Sequence, residues 1–169
     1  MTKASYLIPD NRGVLAVGGN DRHSFLQGLI SNDINKVTAD RALWSAFLTP
    51  QGKYLHDFFI AEIGDVFYID CEFARRQDLL KRLSLYKLRS KVTVGDATET
   101  HAVAVVYGED ALALPQLIHQ ANHRLSAGHH GMTSISIDRG LLCIFRWSGR
   151  GRIHFPPSDL VHSHNLAIE

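Results

Sequence analysis

The sequence has little of what small secreted scaffolds and metal sites are built from. Among its 169 residues only two are cysteines, Cys71 and Cys143, and they lie far apart with no Cys-x-x-Cys pair. This excludes a disulfide framework and a Cys-x-x-Cys metal or redox site. Ten histidines are present, but the pairs at residues 129–130 and at residues 162 and 164 lack a carboxylate or cysteine at ligand spacing. We therefore predict that the chain holds no metal ion.

Long apolar runs and an excess of one charge are also missing. The chain carries 18 basic and 17 acidic residues, for a formal net charge of +1, whereas nucleic-acid-binding domains usually show a basic patch and a clearly basic balance. No apolar stretch approaches the roughly 18 residues that a membrane-spanning helix needs. Residues 1–10 show no basic segment followed by an apolar run, which is the pattern of a signal peptide. The sequence thus predicts a cytoplasmic protein that binds neither nucleic acid nor membrane.

Common nucleotide-binding and nucleophile motifs are absent as well. Gly13, Gly18 and Gly19 precede no Gly-Lys-Ser/Thr and form no G-x-G-x-x-G. Ser148 is followed by glycine and arginine and lacks the G-x-S-x-G elbow of a serine hydrolase. Composition and spacing alone therefore leave the activity open.

The apolar pattern predicts an α+β fold. Short runs rich in β-branched and aromatic residues alternate with segments whose apolar residues recur every three or four positions. The connections at residues 49–53 and 64–65 are too short for a crossover helix, so the strands that they join should be antiparallel. We expect mostly antiparallel sheet with the helices packed on one face, and an irregular tail at residues 153–169. Predicted strands lie at residues 14–17, 42–48, 54–62, 66–70, 92–94, 102–106, 135–137 and 142–147, and predicted helices at residues 21–30, 74–86 and 114–121.

Three local sequences carry more information than the pattern. Residues 25–34 read FLQGLISNDI, residues 48–53 read LTPQGK and are soon followed by His56 and Asp57, and residues 85–92 read LYKLRSKV. In this order and at this spacing they resemble the YgfZ branch of the T-protein (aminomethyltransferase) superfamily, over about residues 13–152. The resemblance implies a folate-binding N-terminal domain at residues 1–152, built as one unit or as two interlaced subdomains.

The resemblance also implies a cleft for tetrahydrofolate, whose flat pterin ring suits an apolar or aromatic slot with a few fixed polar groups. Asp57 follows the hairpin where the T-protein carries two adjacent aspartates, and His56 takes the place of the first. Because neighbouring residues of a strand point to opposite faces, only one of these side chains can face a given cleft. The alternatives are a partly exposed strand carboxylate for Asp57 and a histidine on the sheet surface for His56.

Three further residues belong to the implied site. Asp70 ends a predicted strand where the T-protein has an asparagine near the pterin, and its alternative is a cap for the next helix. Arg89 could fix a cleft carboxylate, receive the anionic tail of folate, or form an ordinary ion pair at the helix end. Asn32 could shape the cleft or simply end the first helix. The predicted residues for binding a folate derivative are thus Asp57, Asp70, Arg89, His56 and Asn32, with Asp57 also the best candidate for catalysis.

The family's cysteine motif, K-G-C-[FY]-x-G-Q-E, does not occur in the sequence. We therefore expect the family fold to be incomplete at its carboxy end. The resemblance favours a folate-binding scaffold for iron–sulfur cluster assembly or repair, with iron–sulfur client proteins as partners. A second hypothesis is a tetrahydrofolate-dependent aminomethyltransferase, against which the substitution at His56 and the missing carboxy end of the family fold count. A third is a non-catalytic module that has lost its ligand and associates into a homo-oligomer.

Overall fold

The computed structural model describes residues 4–7, 9–38, 41–108, 132–137 and 140–146. Strands dominate these residues, with two α-helices between them. Two 3-10 turns, Ile34–Lys36 and Phe73–Arg75, precede the third strand and the second helix. In chain order the elements are β1 (Ala4–Leu7), β2 (Arg12–Gly18), α1 (Arg22–Gln27), β3 (Leu43–Leu48), β4 (Tyr54–Ile63), β5 (Val66–Glu72), α2 (Arg76–Tyr86), β6 (Thr93–Asp96), β7 (His101–Gly108), β8 (Met132–Ile137) and β9 (Gly140–Arg146).

The strands form two sheets. The five-stranded sheet has the order β3-β4-β5-β2-β6, and the four-stranded sheet has the order β1-β7-β9-β8. Their strand pairs are antiparallel throughout. Gly64 in the hairpin between β4 and β5 has a φ of 60°, a value that glycine adopts without a Cβ clash. The prediction of an α+β fold with mostly antiparallel sheet is confirmed, whereas the division into two sheets is new.

The two faces of the five-stranded sheet bury different partners. Alternation along the strands places Phe58 and Ile69 on one face and Phe59 and Asp70 on the other. We call the first the helix face, because Leu79 of α2 is fully buried against it and α1 joins the same core. The second is called the sheet-packed face, because β7 and β8 of the four-stranded sheet contact β2 and β4 there. Both helices therefore pack on one face, as predicted.

Some boundaries differ from the sequence pattern. Strand β1 has no counterpart among the predicted strands, and the helix expected from residue 74 begins at Arg76 after the 3-10 turn. Strand β9 begins at Gly140, two residues before the strand predicted at residues 142–147. The helix predicted at residues 114–121 and the tail predicted at residues 153–169 lie outside the described residues. Neither helix in the described part of the chain has the length and apolar character needed to cross a membrane.

The loop from β2 into α1 is fixed by contacts with the segment after α2. Gly19 has a φ of 101°. Asp21 is the N-cap residue of α1, but its side chain forms no cap hydrogen bond. Instead its Oδ2 accepts a hydrogen bond from the backbone N–H of Lys91 at 2.7 Å. The start of α1, just before the first motif segment, is therefore joined to the third motif segment through Asp21.

Candidate functional site

Asp57 lies on the sheet-packed face of β4, opposite Ala46 of β3. Its side chain is exposed, and the Tyr54 hydroxyl donates a hydrogen bond to its Oδ1 at 2.5 Å. This bond lowers the pKa of the Asp57 carboxyl; partial burial opposes it, and a hydrogen bond from the Trp44 side chain lowers the pKa further. Asp57 is therefore ionised at neutral pH and is held between two aromatic neighbours.

Both aromatic neighbours of Asp57 present large exposed surfaces. Trp44 lies on β3 opposite Phe59, and Trp44 and Tyr54 are 53% and 56% exposed. The hydrogen bond to Asp57 raises the pKa of Tyr54, so its hydroxyl remains a donor at neutral pH. A flat ligand can stack on such rings while its N–H groups donate to the carboxylate.

Asp70 lies on the same face, on β5, opposite both Phe59 and Val14. Arg12 of β2 donates from Nε to Asp70 Oδ1 at 2.7 Å and from Nη2 to the Asp70 carbonyl oxygen at 3.1 Å. Burial raises the pKa of the Asp70 carboxyl, and the guanidinium acts in the opposite direction. The cap that the sequence offered as an alternative does not form, since the N-cap residue of α2 is Arg75.

The ion pair and Asp57 belong to one cluster. They share the sheet-packed face, and the charge of Arg12 contributes to lowering the pKa of Asp57. Asp70 has its charge balanced within the protein, whereas the Asp57 carboxylate reaches solvent. This set is called the aromatic–carboxylate cluster and consists of Arg12, Trp44, Tyr54, Asp57 and Asp70.

His56 lies on the opposite face from Asp57 and does not join this cluster. It is 3% exposed beneath α2, with Nε2 at 2.8 Å from Asp78 Oδ2. Arg82 Nε donates to the same oxygen at 2.7 Å. Burial lowers the pKa of His56, against the hydrogen bond with Asp78. His56 is therefore a buried contact between sheet and helix, and the alternative of a histidine on the sheet surface is wrong. Because His56 points to the other face of the sheet, its presence in place of the T-protein's first aspartate does not alter the surface around Asp57.

His56 should make the stability of the fold depend on pH. The folded state holds the His56 proton less tightly than the unfolded chain does, because the pKa of the buried ring is lowered from 6.5. Below that pH the unfolded state binds more protons, so the free energy of unfolding falls as the pH falls. We expect the loss between about pH 7.5 and about pH 5.5 to be smaller in His56→Gln, with a ceiling of about 1.4 kcal/mol per pH unit.

Urea denaturation at both pH values measures this difference. The matched control is His23→Gln, which replaces a histidine of α1 whose side chain is 45% exposed. The interpretation fails if His56→Gln retains the full pH dependence of the parent chain, or if both variants reduce it equally.

Asn32 contributes to the free edge of β3 rather than to the face of Asp57. Its Nδ2 donates to the carbonyl oxygen of Trp44 at 3.0 Å. Ser31 completes this edge, because its N–H donates to the Ala46 carbonyl at 2.9 Å and its hydroxyl accepts from the Ala46 N–H at 3.0 Å. The polar residues after α1 thus pair the outward backbone groups of an edge strand, which otherwise invite association. Asn32 adjoins the cluster only through the backbone of Trp44.

The three motif segments meet around a shallow groove on the helix face. Residues 28–31 come from the first segment, residues 47–50 from the end of β3 and its hairpin, and Tyr86 from the third; together they line about 350 Å³. Phe47 lies opposite His56 in the β3–β4 register, and its ring meets that of Tyr86 edge to face with centroids 5.8 Å apart. We call this the motif groove.

Arg89 also lies away from Asp57, in the turn after α2. Its side chain is exposed. In the part of the chain that the structure describes, Arg89 makes no ion pair with the predicted cleft carboxylates Asp57 and Asp70. The structure therefore brings Asp57 and Asp70 together and places His56, Arg89 and Asn32 outside their cluster.

Sequence reasoning missed three members of the cluster: Arg12, Trp44 and Tyr54. Trp44 could have been found from strand alternation, because a tryptophan two positions before Ala46 shares its face. Tyr54 lies three positions before Asp57, so alternation alone assigns it to the opposite face; the register shift in the β3–β4 pairing next to it was not visible in the sequence. No local signal identifies Arg12, since 58 positions separate it from its partner Asp70.

Curated relatives and a solved structure resemble this chain over much of its length. The mitochondrial iron-sulfur cluster assembly factor IBA57 homolog of Mycosarcoma maydis is 26% identical over 140 residues, which are 73% of this chain and 35% of that protein. The human mitochondrial IBA57 is 34% identical over 110 residues, which are 57% of this chain and 31% of that protein. This chain thus spans about a third of the length of these relatives. Aminomethyltransferase T of the glycine cleavage system from Bartonella henselae shares the fold with a TM-score of 0.65 at 14% identity, over 85% of this chain and 42% of that one.

These relatives overturn one prediction from the sequence. The absence of a signal-peptide pattern led to the prediction of a cytoplasmic protein, but the IBA57 proteins are mitochondrial by name. The cytoplasmic location is therefore wrong on this comparison. The reason is that a secretory signal pattern, which residues 1–10 lack, concerns export only. Its absence does not distinguish the cytoplasm from other compartments inside the cell.

Family membership rests on a match to most of the chain. The family model described as the GCVT N-terminal domain matches residues 10–150 of this chain. This range contains both described helices and the whole aromatic–carboxylate cluster. This match confirms the predicted T-protein superfamily, and the solved aminomethyltransferase shares the fold. The chain belongs to the GCVT N-terminal domain family.

Proposed function

We propose that the chain is a tetrahydrofolate-binding protein of the YgfZ type that serves iron–sulfur cluster assembly or repair. One observation carries the proposal: an exposed, ionised carboxylate, Asp57, lies beside the exposed rings of Trp44 and Tyr54. A pterin is flat and carries N–H donors at one edge, so it can stack on an aromatic ring and donate to a carboxylate at the same time.

The chemistry of the cluster fits this ligand better than it fits a cation or an anion. Asp70 has its charge balanced by Arg12 at 2.7 Å, so the pair offers neither a free positive nor a free negative group. Asp57 is left as the acceptor that is open to solvent. When bound, tetrahydrofolate would act as the carrier of one-carbon groups. Trp44 would provide stacking area, Asp57 would fix the ring, and Tyr54 would hold the Asp57 carboxylate.

The link to iron–sulfur clusters rests on the IBA57 relatives, which are named as assembly factors. The chain's own Cys71 does not suit direct cluster ligation. It is 3% exposed, and burial raises the pKa of its thiol to about 12, so the thiolate that binds iron is disfavoured. We therefore propose that the described domain acts through folate and through client proteins rather than through Cys71.

Calorimetric titration with tetrahydrofolate tests the proposal. The expected result is binding by the 169-residue chain that weakens at least tenfold, by about 1.4 kcal/mol, in Asp57→Asn and in Trp44→Ala. Asp65→Asn is the matched control, because it removes a carboxylate that is 96% exposed in the next hairpin. Binding that is unchanged in Asp57→Asn removes the cluster as the site. A folded chain that binds no tetrahydrofolate favours instead the hypothesis of a non-catalytic module.

A second candidate function is a tetrahydrofolate-dependent aminomethyltransferase. The favouring observation is that His56 lies beneath α2 and leaves the face of Asp57 unaltered, which removes the argument that the substitution at His56 raised against this candidate. An ionised carboxylate beside a bound folate could orient its ring nitrogens during methylene transfer. Formation of methylene-tetrahydrofolate that depends on Asp57 would establish this candidate, and folate binding without turnover would leave the scaffold.

A further inference from the structure

A second surface of this protein lies on the other face of the five-stranded sheet and is not used by the folate proposal. The motif groove is lined by residues 28–31 and 47–50 together with Tyr86. Both ranges are free of charged residues. The groove is therefore uncharged, with apolar residues such as Leu29, Ile30 and Phe47 beside the polar residues Ser31 and Thr49, and its size accepts one or two apolar side chains.

Exposed apolar side chains extend the groove beyond its lining. Leu85, Tyr86 and Leu88 are 67%, 44% and 87% exposed at the carboxy end of α2. Scattered exposed hydrophobic residues are ordinary, but a contiguous group beside a cavity is typical of an interaction site. The group and the groove share Tyr86, whose ring contacts that of Phe47 edge to face.

The segment around Tyr86 is basic, although Asp21 and Asp78 lie beside it, hydrogen-bonded to the Lys91 backbone N–H and to Arg82. Residues 79–95 contain five basic residues and no acidic residue, although the whole chain is close to neutral. Lys87, Arg89 and Lys91 follow Tyr86 directly and are spaced two apart; Arg89 and Lys91 are exposed, and Lys87 is half-buried. This edge of the groove is therefore both apolar and basic.

We propose that the motif groove, with Leu85, Leu88 and Arg89 at its margin, is a docking surface for an acidic segment of a partner protein that inserts an apolar anchor. Carboxylates of the segment pair with the basic turn, which steers encounter and fixes orientation. The anchor fills the groove against Phe47 and Tyr86.

Two other occupants fit the surface less well. A second copy of the chain in a two-fold dimer would bring the same basic turn against itself, and like charges oppose such an arrangement. Nucleic acid would pair with the basic residues but leave the uncharged groove and the exposed leucines beside it without a partner. The partner and a ligand of the aromatic–carboxylate cluster would bind on opposite faces, so the proposal is independent of folate binding.

The test uses a fluorescent 12-residue peptide with central leucine and phenylalanine residues flanked by glutamates, and a matched peptide with lysines in place of the glutamates. Anisotropy titration of the full chain should show at least tenfold tighter binding of the acidic peptide, which corresponds to about 1.4 kcal/mol. Arg89→Glu and Leu88→Asn should each weaken it about tenfold. Asparagine tolerates the positive φ of 41° at position 88, so this variant keeps the turn.

The control is Arg41→Glu, which makes the same charge change at an exposed position before β3. It should alter the affinity for the acidic peptide less than twofold, or about 0.4 kcal/mol. Equal binding of the two peptides, equal effects of Arg89→Glu and Arg41→Glu, or binding of neither peptide overturns the proposal. Sedimentation that shows dimers abolished by Leu88→Asn would assign the surface to self-association instead and would also overturn it.

Discussion

Replacing Gly19 by alanine should lower the free energy of unfolding by at least about 3 kcal/mol. Two effects add at this position. Its φ of 101° is strained for any residue with a Cβ. A Cβ there would also overlap the carbonyl oxygen of Lys91 and lie 2.9 Å from the Cα of Val92. Both contacts are with backbone atoms, which cannot rotate away as a flexible side chain can.

Two other glycines separate these effects. Gly64 has a φ of 60°, and no atom of the described residues outside its own turn lies within 4 Å of the point that a Cβ would occupy. Gly64→Ala therefore carries the backbone strain alone, about 1 kcal/mol. Gly28 has an ordinary helical φ of −77°, and Gly28→Ala should leave stability nearly unchanged. Chemical denaturation should therefore rank the losses as Gly19, then Gly64, then Gly28. Equal losses at Gly19 and Gly64 would show that the loop moves away from the Lys91 segment at little cost.

The close approach at Gly19 also explains why the sequence motifs sit where they do. Lys91 belongs to the third motif segment, and its N–H donates to Asp21 while its carbonyl lies against Gly19. The motif residues after α1 pair with the edge of β3 in a similar way. Much of the pattern by which the family is identified therefore stabilises one region of the fold, around the motif groove, rather than the face of Asp57.

Local features of the sequence were sufficient to predict the consecutive antiparallel strands β3, β4 and β5 and the two helices that pack on the five-stranded sheet. The period of two in β4 also predicts that His56 and Asp57 face opposite ways, as they do. It does not say which face is buried by helices, because that depends on where the apolar stripe of α2 packs. The burial of His56 beneath Asp78 therefore depends on the packing of α2 against the sheet, which the strand pattern does not reveal.

The partners of the candidate site depend on contacts between distant parts of the chain. Asp70 follows an apolar strand and precedes a helix, so a helix cap was a reasonable alternative from local rules. Arg12, which decides its electrostatic state, comes from a strand placed beside β5 only by the order of the sheet. The division into two sheets was hidden for the same reason, since β1 and β7 pair across about a hundred residues of chain.

Replacing Arg12 by leucine should cost about 3 kcal/mol of stability at neutral pH. The Asp70 side chain is only 2% exposed and its partner 27% exposed, so removal of the guanidinium leaves a charge in the protein interior without compensation. Burial already raises the pKa of Asp70 above 3.8, and Arg12 opposes this rise. Without Arg12 the pKa rises further, and the carboxyl becomes neutral at a higher pH.

The sign of the pH dependence distinguishes this cause from lost packing. A carboxyl whose folded pKa lies above its unfolded pKa destabilises the fold increasingly as the pH rises between the two values. The deficit of Arg12→Leu relative to the parent chain should therefore shrink as the pH falls towards about 4. The double variant Arg12→Leu/Asp70→Asn should recover at least half of the loss at neutral pH, because no charge is then buried. Arg82→Leu, which breaks a half-exposed pair with Asp78, is the control and should cost about 0.5 kcal/mol. A deficit that is independent of pH and persists in the double variant would mean that Arg12 stabilises the fold through packing of its side chain.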